Sequence, residues 1–310
     1  MTTATAGYRT HLKVIQEQAS WAILVRGLQQ AASRNQGRSV PAPHRHTHEI
    51  YPLPLQSAPR CASSTRPTSV KTLLIYDRPV PLNREKHATF RLRASQSMAH
   101  ARELNAIPVV IAEMGRIARD YPIVFVGEKA ESVLPSALVG LQSGENLFVD
   151  AEGNWSDGYI PAFVRRYPFV LAEDGERFQI FIDEGYAGLN AEEGEALFDE
   201  EGKETEALKR VVDFLKEYQG FVAATQTFVN ELNQHGLLEA KNLQSTPQDG
   251  SAPRVIQGMW TIDEEKLKKL SADTAQSLLA NGAMGLIYAH LLSLQNLDKL
   301  DQRFAQRRAG

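Results

Sequence analysis

The sequence predicts an α+β fold, with antiparallel β-hairpins in the first half of the domain packed against helices that come mostly from the second half. Three observations support this class. Short apolar runs separated by turn residues cluster before residue 183. Segments with helical spacing of apolar residues dominate after residue 207. Strands and helices do not alternate regularly, which argues against a doubly wound parallel sheet.

The strands are predicted from apolar or alternating runs that end at turn residues. In the first half these runs are KTLLIY, TFRLR, IVFVG, ALVGL, NLFVD, FVLA and RFQIFID. QSGE between ALVGL and NLFVD predicts a four-residue hairpin loop, and EDGE between FVLA and RFQIFID contains an Asp-Gly turn signal. In the second half, Arg254–Asp263 predicts one further strand.

The helices are predicted from apolar stripes at helical spacing. Pro108 is suited to the first turn of a helix that runs to Asp120. Its stripe consists of Val109, Val110, Met114 and Ile117. Residues 207–238 predict a long helix with a candidate break at Gly220. Residues 264–282 and 283–300 predict two more helices, separated by a stop signal at Asn281-Gly282.

The first 70 residues differ from residues 71–310, which we predict to form a single domain. Residues 1–70 contain eight Lys/Arg and two Asp/Glu, a net charge of +6, and are rich in Arg, Pro, Ser and His. Apart from His11–Leu28, which is helix-like, they contain little periodic apolar surface to offset the cost of ordering the backbone. They are either a disordered basic arm for an anionic partner or an upstream extension of a gene whose start lies near Val70.

The sequence contains few of the residue patterns that carry chemistry. The sole cysteine, Cys61, lies in the basic segment, so residues 71–310 have no thiol nucleophile or cysteine metal ligand. No phosphate-binding loop, GxGxxG, HExxH or GxSxG motif occurs. The alternating His44, His46 and His48 lack residues that would orient them on a metal, which favours a solvated cluster. His290 lies in a very apolar helix and is interpreted as a neutral core histidine. We therefore expect no cofactor and no metal.

The acidic residues are concentrated in one stretch. Asp183–Glu206 holds ten carboxylates and one lysine, a net charge of −9, which equals the net charge of all of residues 71–310. Its spacing does not match a calcium-binding loop, so we interpret it as a solvated, mobile acidic loop. It has the charge to pair with the basic arm.

Cellular location is predicted from missing targeting signals. No apolar run reaches the roughly 18 to 20 residues that a membrane helix requires. Glu17 interrupts the one N-terminal stretch that resembles the apolar part of a secretory signal. We therefore expect a cytoplasmic protein with no membrane span and no nucleic-acid partner.

The segment YIPAFVRRYPFVL places two arginines in an apolar, aromatic run between two prolines. Pro161 is suited to begin a short helical turn, and Pro168 must end it. Adjacent helical residues point about 100° apart, so Arg165 and Arg166 are expected to face different surroundings. One reading is a structural ion pair, because a buried arginine requires compensating partners. The candidate partners are Glu113, Asp150 and Asp157. The other reading is an anion- or substrate-binding site.

Several long strings together resemble the SapC family of bacterial proteins. They are LLIYDRPVPLNREKH, ARDYPIVFV, LVGLQSGENLFVDAEGNW, YIPAFVRRYPFVL, LFDEEGKET and GLIYAHLLSLQNLDKL, in this order between about residues 71 and 300. The resemblance does not include residues 1–70. It implies a link to a bacterial surface layer, relatives encoded near TonB-dependent receptors, and association with the cell surface. It implies no established reaction and no catalytic residues.

Two hypotheses for function follow. The first is a binding or accessory protein for surface-layer assembly or envelope uptake, with TonB-dependent uptake components as partners by resemblance. The second is an enzyme of unknown reaction with a pocket around residues 146–167, in which arginine orients an anionic substrate, Asp150 is a general base and aromatic rings form the walls. The predicted ligand-binding residues are Asn146, Asp150, Trp155, Tyr159, Arg165, Arg166 and Tyr167.

Overall fold

The structure, a computed structural model, describes residues 75–95, 97–174, 177–190, 192–245 and 254–309. The basic segment 1–70, its histidine cluster and Cys61 lie outside these residues, as does most of the predicted strand KTLLIY. The described chain has an α+β fold, with antiparallel sheets built largely from the first half and helices mostly from the second half, as the sequence predicts.

Three antiparallel sheets organise the strands. A five-stranded sheet has the order β10-β11-β4-β5-β3, and two three-stranded sheets have the orders β1-β7-β6 and β8-β2-β9. The strands are β1 Pro79–Pro81, β2 Arg91–Leu92, β3 Ala106–Pro108, β4 Ile123–Val126, β5 Leu134–Leu138, β6 Phe169–Asp174, β7 Arg177–Asp183, β8 Leu189–Asn190, β9 Glu195–Ala196, β10 Leu238–Ser245 and β11 Arg254–Ile262.

The helices surround and cover these sheets. They are α1 Ile111–Asp120, α2 Ala162–Arg165, α3 Glu206–Gln234, α4 Glu264–Lys268, α5 Ala272–Ala280, α6 Ala283–Ser293 and α7 Leu297–Ala309. The largest core cluster joins α1, the five-stranded sheet and α6, with Met114, Ile123 and Ile287 fully buried. Within the described ranges, no single helix is long and apolar enough to cross a membrane. Helix α5 and residues 283–308, which meet at a bend of 89°, are together long and apolar enough to do so by length and composition alone.

Several predicted elements are confirmed. The run FVLA and the run RFQIFID form an antiparallel hairpin, β6–β7, in which Phe169 pairs with Ile182. The predicted stop between the last two long helical segments is also present, because Gly282 adopts a left-handed conformation with φ +84° that favours glycine. The long helix α3 is capped by Thr205, whose hydroxyl accepts the N–H of Leu208.

Four predictions of element boundaries are wrong. Pro108 ends β3 instead of opening a helix. The predicted ALVGL–NLFVD strand ladder does not form: Leu147 and Phe148 lie in a turn, and the N–H of Leu147 makes one bond to the Val139 carbonyl at 2.8 Å. Helix α3 continues through Gly220, since its buried face outweighs the roughly 1 kcal/mol helix cost of one glycine. The helix predicted over 264–282 divides into α4 and α5, where Ser271 caps a new helix by accepting the N–H of Thr274.

The acidic segment is more ordered than the sequence suggests. It forms β8 and β9, which flank β2 on either side. Its first residue, Asp183, has no exposed surface, whereas Glu192, Glu193 and Glu195 are exposed. The interpretation as a solvated loop therefore holds for its middle and not for its beginning.

Candidate functional site

The two arginines of the Pro-bracketed segment lie on a one-turn helix and point in different directions. Helix α2 follows Pro161, whose carbonyl accepts the N–H groups of Val164 and Arg165. Arg165 is exposed and Arg166 is 4% exposed. The angular offset of adjacent helical residues thus places one guanidinium at the surface and the other in the interior.

Arg166 packs among aromatic rings. Its guanidinium carbon lies 4.3 Å from the ring centroid of Phe163, 5.2 Å from that of Tyr218 and 5.9 Å from that of Tyr76. The negative face of an aromatic ring attracts a cation, and this attraction strengthens where water is excluded. Tyr76 precedes β1 and Tyr218 lies on α3, so Arg166 joins the β1 region, α2 and α3.

Arg165 is held at the surface by neighbours on its own segment. Its Nε donates to the Ile160 carbonyl at 3.0 Å, and an Nη donates to the Tyr159 hydroxyl at 2.8 Å. Its guanidinium carbon lies 5.4 Å from the ring centroids of both Tyr159 and Phe214. Arg116 of α1 lies 5.7 Å from the Tyr159 ring, so two guanidinium groups adjoin one tyrosine.

The three carboxylates proposed as arginine partners make other contacts. Glu113 is buried and accepts the N–H of Ala162 at 2.9 Å and that of Val110 at 3.3 Å, and burial raises its pKa. Asp150 accepts from the backbone and side-chain nitrogens of Asn154, and these hydrogen bonds lower its pKa. Asp157 pairs with Arg303 of α7. Glu113 therefore fixes the start of α2 through the backbone.

Asn146 and Trp155 belong to a braced turn. Asn146 is fully buried, its Nδ2 donates to the Ala101 carbonyl at 3.0 Å, and its Oδ1 accepts the N–H of Phe148 at 2.9 Å. Arg307 of α7 donates to the Asn146 carbonyl at 2.8 Å. The Trp155 indole N–H donates to the Tyr121 hydroxyl at 3.0 Å. These contacts replace the strand pairing that the sequence predicts for NLFVD.

Tyr167 faces an interior cluster that sequence reasoning missed. Its ring stacks on His100 with centroids 4.1 Å apart, and its hydroxyl hydrogen-bonds Asp183. Asp183 also accepts the N–H groups of Asp77, Arg78 and Gly185, each at 2.8 Å. Burial lowers the pKa of His100 to about 4. Sequence reasoning placed Asp183 in the solvated acidic segment, and no feature of the neighbouring residues indicates that this carboxylate is buried.

The structure thus distributes the seven predicted site residues over three surroundings. Tyr159 and Arg165 lie together at the surface, Asn146, Asp150 and Trp155 lie in the braced turn, and Arg166 and Tyr167 face the interior. A ligand pocket that unites all seven stays a prediction. In the described part of the chain, no group of three His, Cys, Asp or Glu side chains is arranged to hold a metal ion.

A groove of ≈ 1000 Å³ lies elsewhere, between β7 and the start of α3. Its apolar surface comes from Leu82, Phe178, Ile180 and Phe198. Phe178 is 56% exposed, a large fraction for a phenylalanine on a strand. The facing wall is the turn 199–206, which carries five carboxylates and one lysine. None of the seven predicted residues lines this groove.

The comparisons with known proteins agree with the sequence resemblance. A model of the SapC family matches residues 82–300, which include the groove, α2 and the braced turn. These features define an α+β protein with an open apolar groove. The chain belongs to the SapC family. Neither the curated proteins nor the solved structures contain a match to it.

Proposed function

We propose that this SapC-family chain is a binding or accessory protein that serves surface-layer assembly or envelope uptake, with TonB-dependent uptake components among its partners. The observation that supports binding is the groove: an apolar surface with a solvent-exposed phenylalanine, walled by charged residues. Exposed apolar surface rimmed by polar groups is typical of interaction sites. The link to envelope systems rests on the family resemblance.

Replacing Phe178 by threonine tests this function. Threonine keeps the strand preference but removes the apolar ring, so the fold is retained and partner binding is weakened. We expect the full wild-type chain to capture an envelope or uptake component from the native cells. The Phe178→Thr variant should recover about tenfold less of it, which corresponds to about 1.4 kcal/mol of binding free energy.

Val255→Thr is the matched control, because Val255 is 53% exposed on β11 and lies outside the lining of the groove. It should recover as much partner as the wild type. Recovery of no envelope or uptake component by the wild type would contradict the proposed function. Equal recovery of the partner by the Phe178 and Val255 variants would show that the partner does not bind in the groove.

Anion binding at Arg165 is a second candidate function. The favouring observation is the exposed Arg165 guanidinium, oriented by Tyr159 and Ile160 and accompanied by Arg116 at the same ring. Oriented guanidinium groups suit carboxylate and phosphate ligands. The enzyme hypothesis requires Asp150 as a base, and the lowered pKa of its carboxyl reduces its proton affinity.

An NMR titration with inorganic phosphate tests the anion site. We expect phosphate to shift the signals of Tyr159 and Arg165 in the wild-type chain, and Arg165→Met to abolish the shifts while the rest of the spectrum is kept. Arg91→Met, an exposed arginine on β2, is the control and should leave the titration unchanged. A spectrum that phosphate leaves unchanged would contradict this candidate.

A further inference from the structure

We propose that the groove binds an extended, basic peptide segment of a separate protein, which adds as a strand to the open edge of β7. This inference rests on the proposed binding function and specifies the chemistry of the partner. Strand addition supplies affinity through main-chain hydrogen bonds and specificity through alternate side chains.

The edge of β7 is open beside Phe178. Strand β1 pairs with β7 from Pro79 opposite Asp183 to Pro81 opposite Phe181, and the N–H of Leu82 adds one more bond to the Ile180 carbonyl at 2.8 Å. Strand β6 pairs along the other side of β7. Nothing in the described part of the chain continues the ladder past Ile180 on the β1 side.

The backbone of Phe178 faces this open side. In an antiparallel ladder, successive residues direct their N–H and C=O groups to opposite neighbours. The N–H of Asp183 donates to Pro168 at the β6 end, whereas Ile180 accepts from Leu82 on the β1 side. Phe178 is two residues from Ile180, so its backbone N–H and C=O groups point to the same side as those of Ile180, toward the groove. An unpaired strand edge is a template for another strand.

A local turn keeps the edge open. After Leu82 the chain leaves β7, because the Asn83 side chain accepts the N–H groups of Glu85 at 2.7 Å and Lys86 at 3.0 Å. The N–H of His87 then donates to the Asn83 carbonyl at 2.9 Å. This asparagine turn ends the extended conformation of β1 and leaves the space beside Phe178 for another chain.

The side chains around the edge select the peptide's apolar positions. Phe178 and Ile180 are two residues apart and therefore lie on one face of the sheet. With Leu82 and Phe198 they form a continuous apolar surface along the groove. A peptide strand paired with β7 would place every second side chain on this surface, so alternate apolar residues fit it.

The charge of the wall selects basic residues at the other positions. The turn 199–206 has a net charge of −4, with five carboxylates and Lys203. That lysine pairs with Glu201, and Lys209 on α3 pairs with Glu206 at 2.7 Å. Arg84 and Lys209 also line the groove, so the turn and these two cations together carry a net charge of −2. The excess negative charge favours a cationic strand. It disfavours edge-to-edge pairing of two copies, which would bring two acidic walls together.

Fluorescence anisotropy with labelled seven-residue peptides tests the proposal on the full chain. The probes are alternating valine and lysine, alternating valine and glutamate, and the valine–lysine peptide with its central amide nitrogens methylated. We expect the first to bind, and the other two to bind at least about tenfold more weakly, because one lacks the opposite charge and the other lacks main-chain donors. Phe178→Thr should weaken the first by about tenfold, and Val255→Thr should not.

Equal binding of the methylated and unmethylated peptides would overturn strand addition, and equal binding of the lysine and glutamate peptides would overturn the basic partner. Photo-crosslinking from p-benzoylphenylalanine at position 178 tests the occupant. Links to the added peptide support the proposal, whereas links to residues 1–70 of the same chain or to a second copy overturn it. If the peptides fail to bind but Phe178-dependent capture of an envelope component persists, the strand inference fails and the proposed function stands.

Discussion

Replacing Arg166 by methionine is expected to lower the free energy of unfolding by about 2 to 4 kcal/mol. Methionine has a similar reach but no charge to face the rings of Phe163, Tyr76 and Tyr218. The guanidinium also lies close enough to Tyr76 to hydrogen-bond it, and that bond is lost. Urea denaturation monitored by circular dichroism measures the change.

Arg165→Met is the matched control, since Arg165 occupies the adjacent position on the same helix and is exposed. It loses ring contacts that solvent already screens, so we expect less than about 1 kcal/mol. Equal destabilisation by the two variants would contradict the division between an interior and a surface arginine. A fully stable Arg166→Met protein would show that the aromatic enclosure contributes nothing to the fold.

Acidification from pH 7 to pH 5 is expected to destabilise the protein through the buried His290 and the partly buried His100. His290 has no exposed surface, and burial lowers its pKa, like that of His100, from 6.5 to about 4. Between these values the unfolded chain binds more protons than the folded protein, so stability is present above pH 6.5 and lost as the pH falls. Each histidine accounts for a loss of about 2 kcal/mol between pH 7 and pH 5.

The surroundings of His290 explain why protonation of its imidazole destabilises the folded protein. Its Nε2 accepts the N–H of Ile262 at 3.1 Å, and a proton on that nitrogen would remove the acceptor. His290→Gln should therefore lose about 2 kcal/mol less than the wild type over this pH range, whatever its stability at pH 7. The pKa of Glu113 is raised, so its protonation stabilises the folded protein as the pH falls. The test therefore compares the pH-dependent change in unfolding free energy of the variant with that of the wild type.

His235→Gln serves as the control, because His235 is exposed at the end of α3. Its pH dependence should match that of the wild type. An unchanged pH dependence in His290→Gln would contradict a neutral, buried imidazole. Denaturant titrations at closely spaced pH values between 7 and 5 provide the measurement.

The sequence predicted those parts of the fold that neighbouring residues encode. Strands β6 and β7 pair as the hairpin prediction requires, and Gly282 lies in a left-handed conformation at the predicted helix stop, because signals of this kind depend on a few adjacent residues. Strand β10 was missed. Its residues alternate weakly, and its pairing with β11, from Leu238 opposite Ile262 to Ser245 opposite Arg254, is what holds it extended.

The candidate site was predicted less completely, for a similar reason. The sequence indicated that Arg165 and Arg166 diverge, because the helical offset of neighbours is a local property. It did not indicate that Tyr218 encloses Arg166 or that Arg307 holds the turn at Asn146, since these contacts join residues far apart in the chain. Of the three carboxylates that the sequence offered as partners, Glu113 accepts backbone N–H groups, Asp150 accepts from Asn154, and Asp157 pairs with Arg303.

By itself, the sequence determined the α+β class, the SapC resemblance, the hairpin and helix signals, and the divergence of the two arginines. Only the tertiary structure decided which arginine is buried, that Asp183 accepts three backbone amides, and that Phe178 lies beside an open strand edge. The first group depends on backbone preferences and periodicity within short segments. The second group depends on which distant segments of the chain pack together. That packing determines burial, hydrogen-bond partners and the surface left for a ligand.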